Sequence, residues 1–462
     1  MSSSSSSAPT PEEPTVLFEE NLSTRRFILN RPRKLNALDR PTLELLAPKL
    51  EHWSKSDLGR IIVGSSNGRA FSAGGDVAGV VQDAAEDATR PNAISFFQRE
   101  FGLDYFLAAQ SKPYVAVLDG FTMGGGYGLA APAAFKVATE KTLFAMPETK
   151  IGYFPDVGAS YFLSRLDGEL GTYLALTGTT LAGRAVFELG MATHFISSSR
   201  VPILLDRLAT LEEPTFGKIN RILEDLHHER EPEDPATPLT GEVRTALDSS
   251  FSRRTVEEII VALQKHADTG ATPEVVQWAK DTLATLELRS PTSLKVALLA
   301  IRKGKSQSLF DAYKMELRIA TAYCNGATPD FNTGVTTVIL NKDQISRPQW
   351  SPGSLKEVNI ADLEKKFFQE APSSQQLTLP EFLQGPHDTP PDPMRYALPT
   401  EGVIRKEIVG ESKSSSGTAL TLDELVERLE QVTDNKHGVR EKVREVVARR
   451  CELDQGQYLR WK

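Results

Sequence analysis

The sequence predicts an α/β protein that continues into a mainly helical C-terminal region, and three features of its pattern indicate this. Short apolar stretches typical of buried strands alternate with segments of helical periodicity as far as residue 197. Beyond that point, residues 215–325 keep helical spacing with few strand signals. Hydrophobic residues make up 40% of the 462 residues and charged residues 25%, which suits a globular chain with a sizeable core.

The predicted elements of the first half follow one another at short intervals. Apolar alternation, β-branched runs and turn residues mark the strands, while 3.6-residue periodicity marks the helices. In order, the sequence predicts two strands in 16–32, a helix in 41–53, a strand over 61–66, a helix over 93–110, a strand over 114–119, an Ala-rich helix after 126, and two strands within 135–147.

Composition divides the chain into five stretches. Residues 1–15 are rich in Ser and Pro and predict a disordered tail, with no basic residue that would indicate a transit peptide. Residues 16–200 form the α/β part and 201–350 its helical continuation. Residues 351–420, rich in Pro, Ser and charge, predict a linker and loose arm. Residues 421–462 predict two amphipathic helices, the first opened by a capping box.

The net charge, the cysteines and the absence of certain motifs disfavour several classes of protein. A net charge of −8, from 53 basic and 61 acidic residues, argues against a non-specific nucleic-acid binder, and no DNA partner is expected. Cys324 and Cys451 lie far apart without a CxxC, so neither a disulfide framework nor a cysteine metal site is indicated. No stretch reaches the length of a membrane span. No histidines show ligand spacing and no GxSxG elbow is present, so neither a metal site nor a serine triad is predicted.

Two glycine-containing loops, each following a predicted strand, could present backbone N–H groups free of side-chain interference. They are Phe71-Ser72-Ala73-Gly74-Gly75-Asp76 and Met123-Gly124-Gly125-Gly126-Tyr127-Gly128. Two such N–H groups that converge on one oxygen form an oxyanion hole. The alternative, that the glycines only permit tight turns and close packing of helix on sheet, remains open from the residues alone.

Three carboxylates are candidates for chemistry. Glu148 follows Pro147 at the end of a predicted strand, Asp156 lies eight residues later, and Glu100 lies on a helix among aromatic residues. A carboxyl group in apolar surroundings loses solvation, which raises its pKa and suits it to acid–base or nucleophilic work near neutral pH. The alternative is that these groups are helix caps and surface charges, and Asp156 would then cap the helix that follows it.

Taken together and in order, the motifs resemble the crotonase superfamily, and the stretch around FPDVG resembles its 3-hydroxyisobutyryl-CoA hydrolase family. The likeness covers residues 16–350. It rests on NRPRKLNAL (30–38), GRAFSAGGD (68–76), KPYVAVLDGFTMGGGYGL (112–129), ATEKTLFAMPETKIGYFPDVGASYFLSRL (138–166), LALTGTTLAGRAVFELGMATHF (174–195), TVEEII (255–260), SPTSLKVAL (290–298) and DFNTGVTTVILNKD (330–343).

This resemblance implies a spiral of ββα units followed by a helical region, and hydrolysis of a short 3-hydroxyacyl-CoA thioester in valine breakdown. It implies an oxyanion hole from the N–H groups of Ala73 and Gly125, with Glu148 as nucleophile or general base and Asp156 beside it. Glu100 would join Gly125, Glu148 and Asp156 in binding the substrate. The loop Arg33, Lys34, Asn36 and Ala37 would bind coenzyme A. No cofactor or metal is implied, because coenzyme A is part of the substrate.

One departure from the hydratase pattern separates the competing reactions. Enoyl-CoA hydratases resemble this chain but carry a glutamate three residues after the middle glycine of the GGG run, where this sequence has Gly128. Hydration needs two glutamates to hold the added water, and only Glu148 is kept. Hydratase or isomerase activity is therefore the disfavoured alternative.

An interaction role is the other alternative. The resemblance places family members in the mitochondrial matrix, and long-tailed fungal forms can be associated with the small subunit of the mitochondrial ribosome. Residues 351–462 extend past the family core, and seven basic residues near their end could meet a partner or RNA. The favoured expectation is that this extension folds back on its own core or builds a homo-oligomer. The basic residues are Arg440, Lys442, Arg444, Arg449, Arg450, Arg460 and Lys462.

Overall fold

The computed structural model describes residues 13–369, 376–380, 390, 392–412, 419–454 and 456–462. Most of the predicted disordered tail therefore lies outside the described residues. The strands are β1 Val16–Asn21, β2 Thr24–Leu29, β3 Ile61–Ser66, β4 Ala70–Ser72, β5 Tyr114–Leu118, β6 Phe121–Met123, β7 Phe135–Ala138, β8 Leu143–Ala145, β9 Leu181–Ala182, β10 His194–Phe195, β11 Cys451–Leu453 and β12 Leu459–Trp461.

The helices alternate with the strands up to β10 and then dominate. They are α1 Arg40–Lys55, α2 Val77–Ala84, α3 Arg90–Ala109, α4 Gly125–Ala130, α5 Ala159–Phe162, α6 Leu170–Thr177, α7 Arg184–Glu188, α8 Val201–Ala209, α9 Phe216–Asp225, α10 Gly241–Phe251, α11 Val256–Thr269, α12 Pro273–Glu287, α13 Pro291–Gly304, α14 Leu309–Cys324, α15 Asp330–Gly334, α16 Ile360–Phe367, α17 Glu401–Ile408, α18 Leu422–Val432 and α19 Val439–Arg450. A π-helical segment, Val335–Leu340, follows α15.

Consecutive short strands enter two different sheets, which produces a spiral of ββα units. The larger sheet has the order β1-β2-β3-β5-β7-β10, and the smaller has the order β4-β6-β8-β9. Neighbours are parallel except β1 with β2 and β8 with β9. The predicted crotonase-type α/β fold with a helical C-terminal region is confirmed.

The strands of the larger sheet are covered on both faces, as their continuous apolar runs predict. Alternate residues such as Ile61 and Val63 pack with Leu204 and Leu208 of α8 and with the apolar side of α9. Ile62, which points the opposite way, belongs to the main core. Because side chains alternate along a strand, one short sequence supplies both layers.

The C-terminal extension packs on the core wherever it is described. Residues 351–420, predicted as a linker and loose arm, contain α16 and α17, and α16 packs against α13 and α14 through Leu363 and Phe367. The predicted helical pair appears as α18 and α19, and the capping box of α18 is formed between Thr421 and Glu424. The β11–β12 hairpin closes the chain and was not predicted.

Candidate active site

The smaller sheet gathers the candidate residues at one edge. β4, β6 and β8 are parallel neighbours, and each carboxyl end leads into a segment singled out from the sequence. These segments are the loop 73–76, the start of α4 at Gly125, and the 3-10 helix Glu148–Ile151. The open edge beyond the carboxyl ends of parallel strands is where ligands bind in α/β proteins.

Two backbone N–H groups at this edge lie side by side. A methyl group built on Gly125 would lie 3.3 Å from the nitrogen of Gly75, and one built on Gly74 would lie 3.4 Å from the nitrogen of Gly125. Among the described residues neither N–H has an acceptor, since Gly125 is the first residue of α4. Gly74 (φ +103°) and Gly124 (φ +48°) adopt backbone conformations that other residues rarely take, which allows this approach.

The expectation for Ala73 needs a correction. Its N–H donates a hydrogen bond of 2.9 Å to the carbonyl of Leu35, so it is not free to hold a substrate oxygen. The free donor of this loop is Gly75, two residues further on, and it faces Gly125. The role of this loop in an oxyanion hole stays a prediction, but the N–H group assigned within it was wrong.

Glu100 and Glu148 lie against the same glycines. A methyl group on Gly125 would overlap Oε1 of Glu100, and one on Gly124 would lie 2.8 Å from Oε1 of Glu148. Both side chains are buried, yet Oε1 of Glu100 and Oε2 of Glu148 have no hydrogen-bond partner among the described residues. Unpaired buried oxygens cost folding free energy, so their presence marks a site built for something other than stability.

Asp156 joins the group from the loop before α5. It is 5% exposed, and the hydroxyl of Tyr153 donates to its Oδ2 at 3.1 Å. The next residue, Val157, has a φ of +54°, which is unusual for a β-branched residue. Strain of this kind is concentrated at functional sites, where surrounding packing holds it in place.

The electrostatic effect of this packing is a set of carboxyl groups that hold their protons. Burial raises the pKa of Glu148 to about 8, and the charge of Glu100 adds to the shift. Burial likewise raises the pKa of Glu100 to about 8. The pKa of Asp156 is raised well above its usual range by burial and then by the charges of Glu100, Glu148 and Glu316.

Two further buried carboxyl groups extend the cluster, and sequence reasoning missed both. Asp104 lies one helical turn after Glu100 on α3, so i, i+4 spacing would have found it. Both of its oxygens lack a partner among the described residues, and burial with the charges of Glu100 and Glu316 raises its pKa. Glu316 accepts hydrogen bonds from the N–H groups of Gly158 and Ser160 and holds the start of α5.

The position of Gly128 leaves no room for a side chain. A methyl group there would lie 2.6 Å from Cβ of Val157 and 2.8 Å from Oδ2 of Asp104. The glutamate that hydratases carry at this position therefore cannot be accommodated unless both neighbours move.

The predicted coenzyme A loop contains a short 3-10 helix, Pro32–Lys34, directly after β2. Arg33 and Lys34 are exposed there. Asn36 is buried, and its side chain donates to the carbonyls of Asn67 and Ala70, so its observed role is to shape the loop. The carbonyl of Ala37 accepts from Arg31. Binding of coenzyme A by these residues stays a prediction.

Among the described residues, the one group with metal-ligand proximity is His227, Glu229 and His437, and none of these belongs to the carboxyl cluster. No helix in the described part of the chain is long and apolar enough to cross a membrane.

Comparison with known proteins agrees with this geometry. The enoyl-CoA hydratase/isomerase family model matches residues 24–368, and the chain belongs to that family, the crotonases. Enzymes of this kind need no cofactor. A carnitinyl-CoA dehydratase from Mycobacterium thermoresistibile has a similar structure, with a TM-score of 0.68 and 32% identity, covering 80% of this chain and 100% of that one.

Two curated relatives point to different roles. The human mitochondrial 3-hydroxyisobutyryl-CoA hydrolase is 41% identical over 353 residues, 76% of this chain and 88% of that protein. The small ribosomal subunit protein mS47 of Neurospora crassa is 37% identical over 465 residues, 98% of this chain and 88% of that protein. The match to the ribosomal protein therefore includes nearly all of the C-terminal extension, whereas the match to the hydrolase covers about three quarters of the chain.

Proposed function

We propose that this chain hydrolyses short 3-hydroxyacyl-CoA thioesters, with 3-hydroxyisobutyryl-CoA as the preferred substrate. The observation that carries the proposal is the contact of the buried Glu148 carboxyl group with Gly124, beside the two unused N–H groups of Gly75 and Gly125. Acyl transfer from a thioester needs a nucleophile or general base, which a carboxylate can be, placed beside N–H donors that stabilise the oxyanion.

In this mechanism the thioester carbonyl oxygen accepts hydrogen bonds from Gly75 and Gly125. Attack on the carbonyl carbon places a negative charge on that oxygen, and the two donors stabilise it without moving. Loss of one such donor costs roughly a hundred- to a thousand-fold in rate in other hydrolases. The N-terminal end of α4 adds a further positive potential, since Gly125 is its first residue.

Glu148 acts in one of two ways. As a nucleophile, Glu148 reacts in its ionised form, which is the minor species below its pKa of about 8. One carboxylate oxygen bonds to the carbonyl carbon, the C–S bond breaks, and water later hydrolyses the mixed anhydride. As a general base, it takes a proton from the water that attacks. In either route the departing thiolate takes up a proton, which Asp156 supplies because its raised pKa keeps it protonated.

The 3-hydroxyl group of the substrate gives Glu100 a function. Oε1 of Glu100 is buried and has no partner among the described residues, so a bound hydroxyl would satisfy it. A site that hydrogen-bonds a hydroxyl rejects analogues without one, because its own polar groups are then left unpaired. The name of the human relative supports a 3-hydroxyacyl substrate.

The test is steady-state thiol release from 3-hydroxyisobutyryl-CoA, run beside isobutyryl-CoA and beside hydration of crotonyl-CoA. We expect release from the hydroxylated thioester, strong discrimination against isobutyryl-CoA, and no hydration. Release that survives Glu148→Gln unchanged, or hydration faster than hydrolysis, would overturn the proposal.

A second role is favoured by the 98% coverage of the match to mS47. We propose that the chain also associates with the small subunit of the mitochondrial ribosome, and hence that it resides in the mitochondrial matrix. Co-sedimentation of the full chain with purified mitochondrial small subunits tests this, with chain lacking residues 419–462 as the comparison. Absence of the full chain from the subunit peak would refute the association, and homo-oligomer formation stays a separate prediction.

A further inference from the structure

A second cluster of titratable side chains lies where the C-terminal extension crosses the core. It consists of His227, Glu229 and His437, of which His437 lies more than 200 residues beyond the other two in sequence. One ligand atom of each lies within 4.8 Å of the others. The two imidazole rings stack with centroids 4.5 Å apart and planes parallel, and Nδ1 of His437 lies 3.1 Å from Oε1 of Glu229.

The backbones that carry these ligands are fixed independently of any ligand. The carbonyl of His227 accepts from Arg200 at 2.7 Å, and its N–H donates to the carbonyl of Glu224. On the other side, Lys436 forms an ion pair of 2.7 Å with Glu224, whose second oxygen accepts from the N–H of His437. Glu224 therefore connects the segment that carries His227 with the segment that carries His437. The two imidazole rings are left facing each other.

The donor set suits a borderline divalent metal ion. Neutral imidazole and carboxylate are zinc ligands, and three protein ligands plus water complete a tetrahedral site. Two nearby cations are each paired with a carboxylate, Lys436 with Glu224 at 2.7 Å and Arg184 with Asp234 at 3.4 Å.

Occupancy requires one movement that the structure permits. Parallel ring planes do not meet at a common point, so one imidazole must rotate for both lone pairs to converge on an ion. The His437 side chain is 39% exposed and the Glu229 side chain 73% exposed, so both can turn without disturbing the core. His227 is the less mobile ligand, because it packs against Phe187.

We propose that His227, Glu229 and His437 bind a single divalent transition-metal ion, with Zn²⁺ as the best match, and that the ion fastens the extension to the core. This site is separate from the catalytic cluster and does not depend on the proposed hydrolase activity. The free energy of binding the ion would stabilise the docked extension. The released extension carries only one of the three ligands, His437, and would bind the ion more weakly.

Isothermal titration of EDTA-treated full-length protein with ZnCl₂ tests the proposal. We expect one equivalent to bind, and His437→Ala and Glu229→Gln each to weaken binding by at least about tenfold, since even outer-shell partners of a metal cost ~10–100-fold when removed. His52→Ala, at an exposed position on α1, is the matched control and should bind as the parent does. Glu229 is exposed, so its variant keeps the test valid if His437→Ala misfolds.

A second readout follows the extension itself. Zinc should slow proteolytic release of α18 and α19 in the parent and in His52→Ala, but not in Glu229→Gln or His437→Ala. Failure of the parent to bind zinc, or equal affinity in all four proteins, would overturn the proposal. The ring stack would then be a packing contact, and any residual binding would belong to other surface histidines.

Discussion

Replacement of Glu148 by glutamine should strongly lower kcat and at the same time stabilise the fold, by an amount that grows with pH. The amide has the shape of the protonated acid but never ionises, so it removes both the reactive carboxylate and the cost of burying its charge. General acid–base groups contribute ~10²–10⁴-fold to the rate, and we expect kcat to fall by a factor of this size.

The magnitude of the stability effect follows from the pKa of Glu148, which burial raises from 4.5 to about 8. The folded state therefore binds more protons than the unfolded state between these values, and the free energy of unfolding falls as pH rises through this window. At ~1.4 kcal/mol per unit, the carboxyl group costs on the order of 3 kcal/mol at pH 7 and about 5 kcal/mol above pH 8. With ~2.1 cal/mol/K of unfolding entropy per residue over the 462 residues, 3 kcal/mol corresponds to roughly 3 °C.

Differential scanning fluorimetry of the parent and Glu148→Gln at pH 5, 7 and 8.5 measures the effect, and thiol release on the same samples measures activity. The melting temperatures should nearly coincide at pH 5 and separate progressively above it. Glu212→Gln, at an exposed position, should leave both unchanged. A Glu148→Gln protein that is less stable than the parent at pH 8.5, or equally shifted at every pH, would refute the reasoning.

Three other substitutions address the neighbours of Glu148. Asp156→Asn keeps a partner for Tyr153 but loses its proton, so kcat/KM for thiol release should fall more than tenfold; an unchanged value would make Asp156 a structural residue. Gly128→Glu should overlap Val157 and Asp104 and reduce hydrolysis without producing hydration of crotonyl-CoA, measured by absorbance. Asp104→Asn should raise the melting temperature increasingly with pH, and a constant shift would argue against a buried acid there.

The fold was largely predictable because its signals are local. Apolar runs, glycine turns and a capping box at Thr421 and Glu424 give the strands, the α4 loop and α18 directly from the sequence. Helices α16 and α17 were missed because their surroundings are rich in Pro, Ser and charge, and their stability comes from distant contacts. Lys295 of α13, for example, donates to the carbonyls of Leu355 and Val358 just before α16.

The segments that meet at the candidate site could be predicted from the sequence, but which of their polar atoms are left without a partner could not. The sequence identified Glu100, Glu148 and the loop 71–76, yet which N–H of that loop is free depends on the carbonyl of Leu35, which reaches Ala73 from a different loop. Hydrogen bonding of that kind has no local signature. The position of Glu316 beside the carboxyl cluster was equally hidden, because its helix reaches the cluster only after the helical region has packed against α3 and α5.

The ion pairs of the basic residues near the end of the extension bear on its proposed association with the ribosome. Five of its seven C-terminal basic residues are already paired with carboxylates, among them Lys442 with Asp167 at 2.7 Å and Arg450 with Asp248 at 2.6 Å. Arg449 is paired with Glu401, Glu445 and Asp248, while Arg440 pairs with Glu430 and Arg460 with Glu452.

The side chains of Lys442, Arg449 and Arg450 are largely buried in their ion pairs and are not available for phosphate groups, whereas the exposed pairs of Arg440 and Arg460 are weak and open readily. RNA binding loses affinity steeply with salt in proportion to the number of phosphates neutralised. We therefore expect the association with small ribosomal subunits to weaken between 50 and 200 mM KCl with the salt dependence of at most about four neutralised phosphates rather than seven. A decline in co-sedimentation as steep as seven phosphates require would mean that the extension opens its buried ion pairs on binding, and the docked arrangement of α19 would then be the unbound form alone.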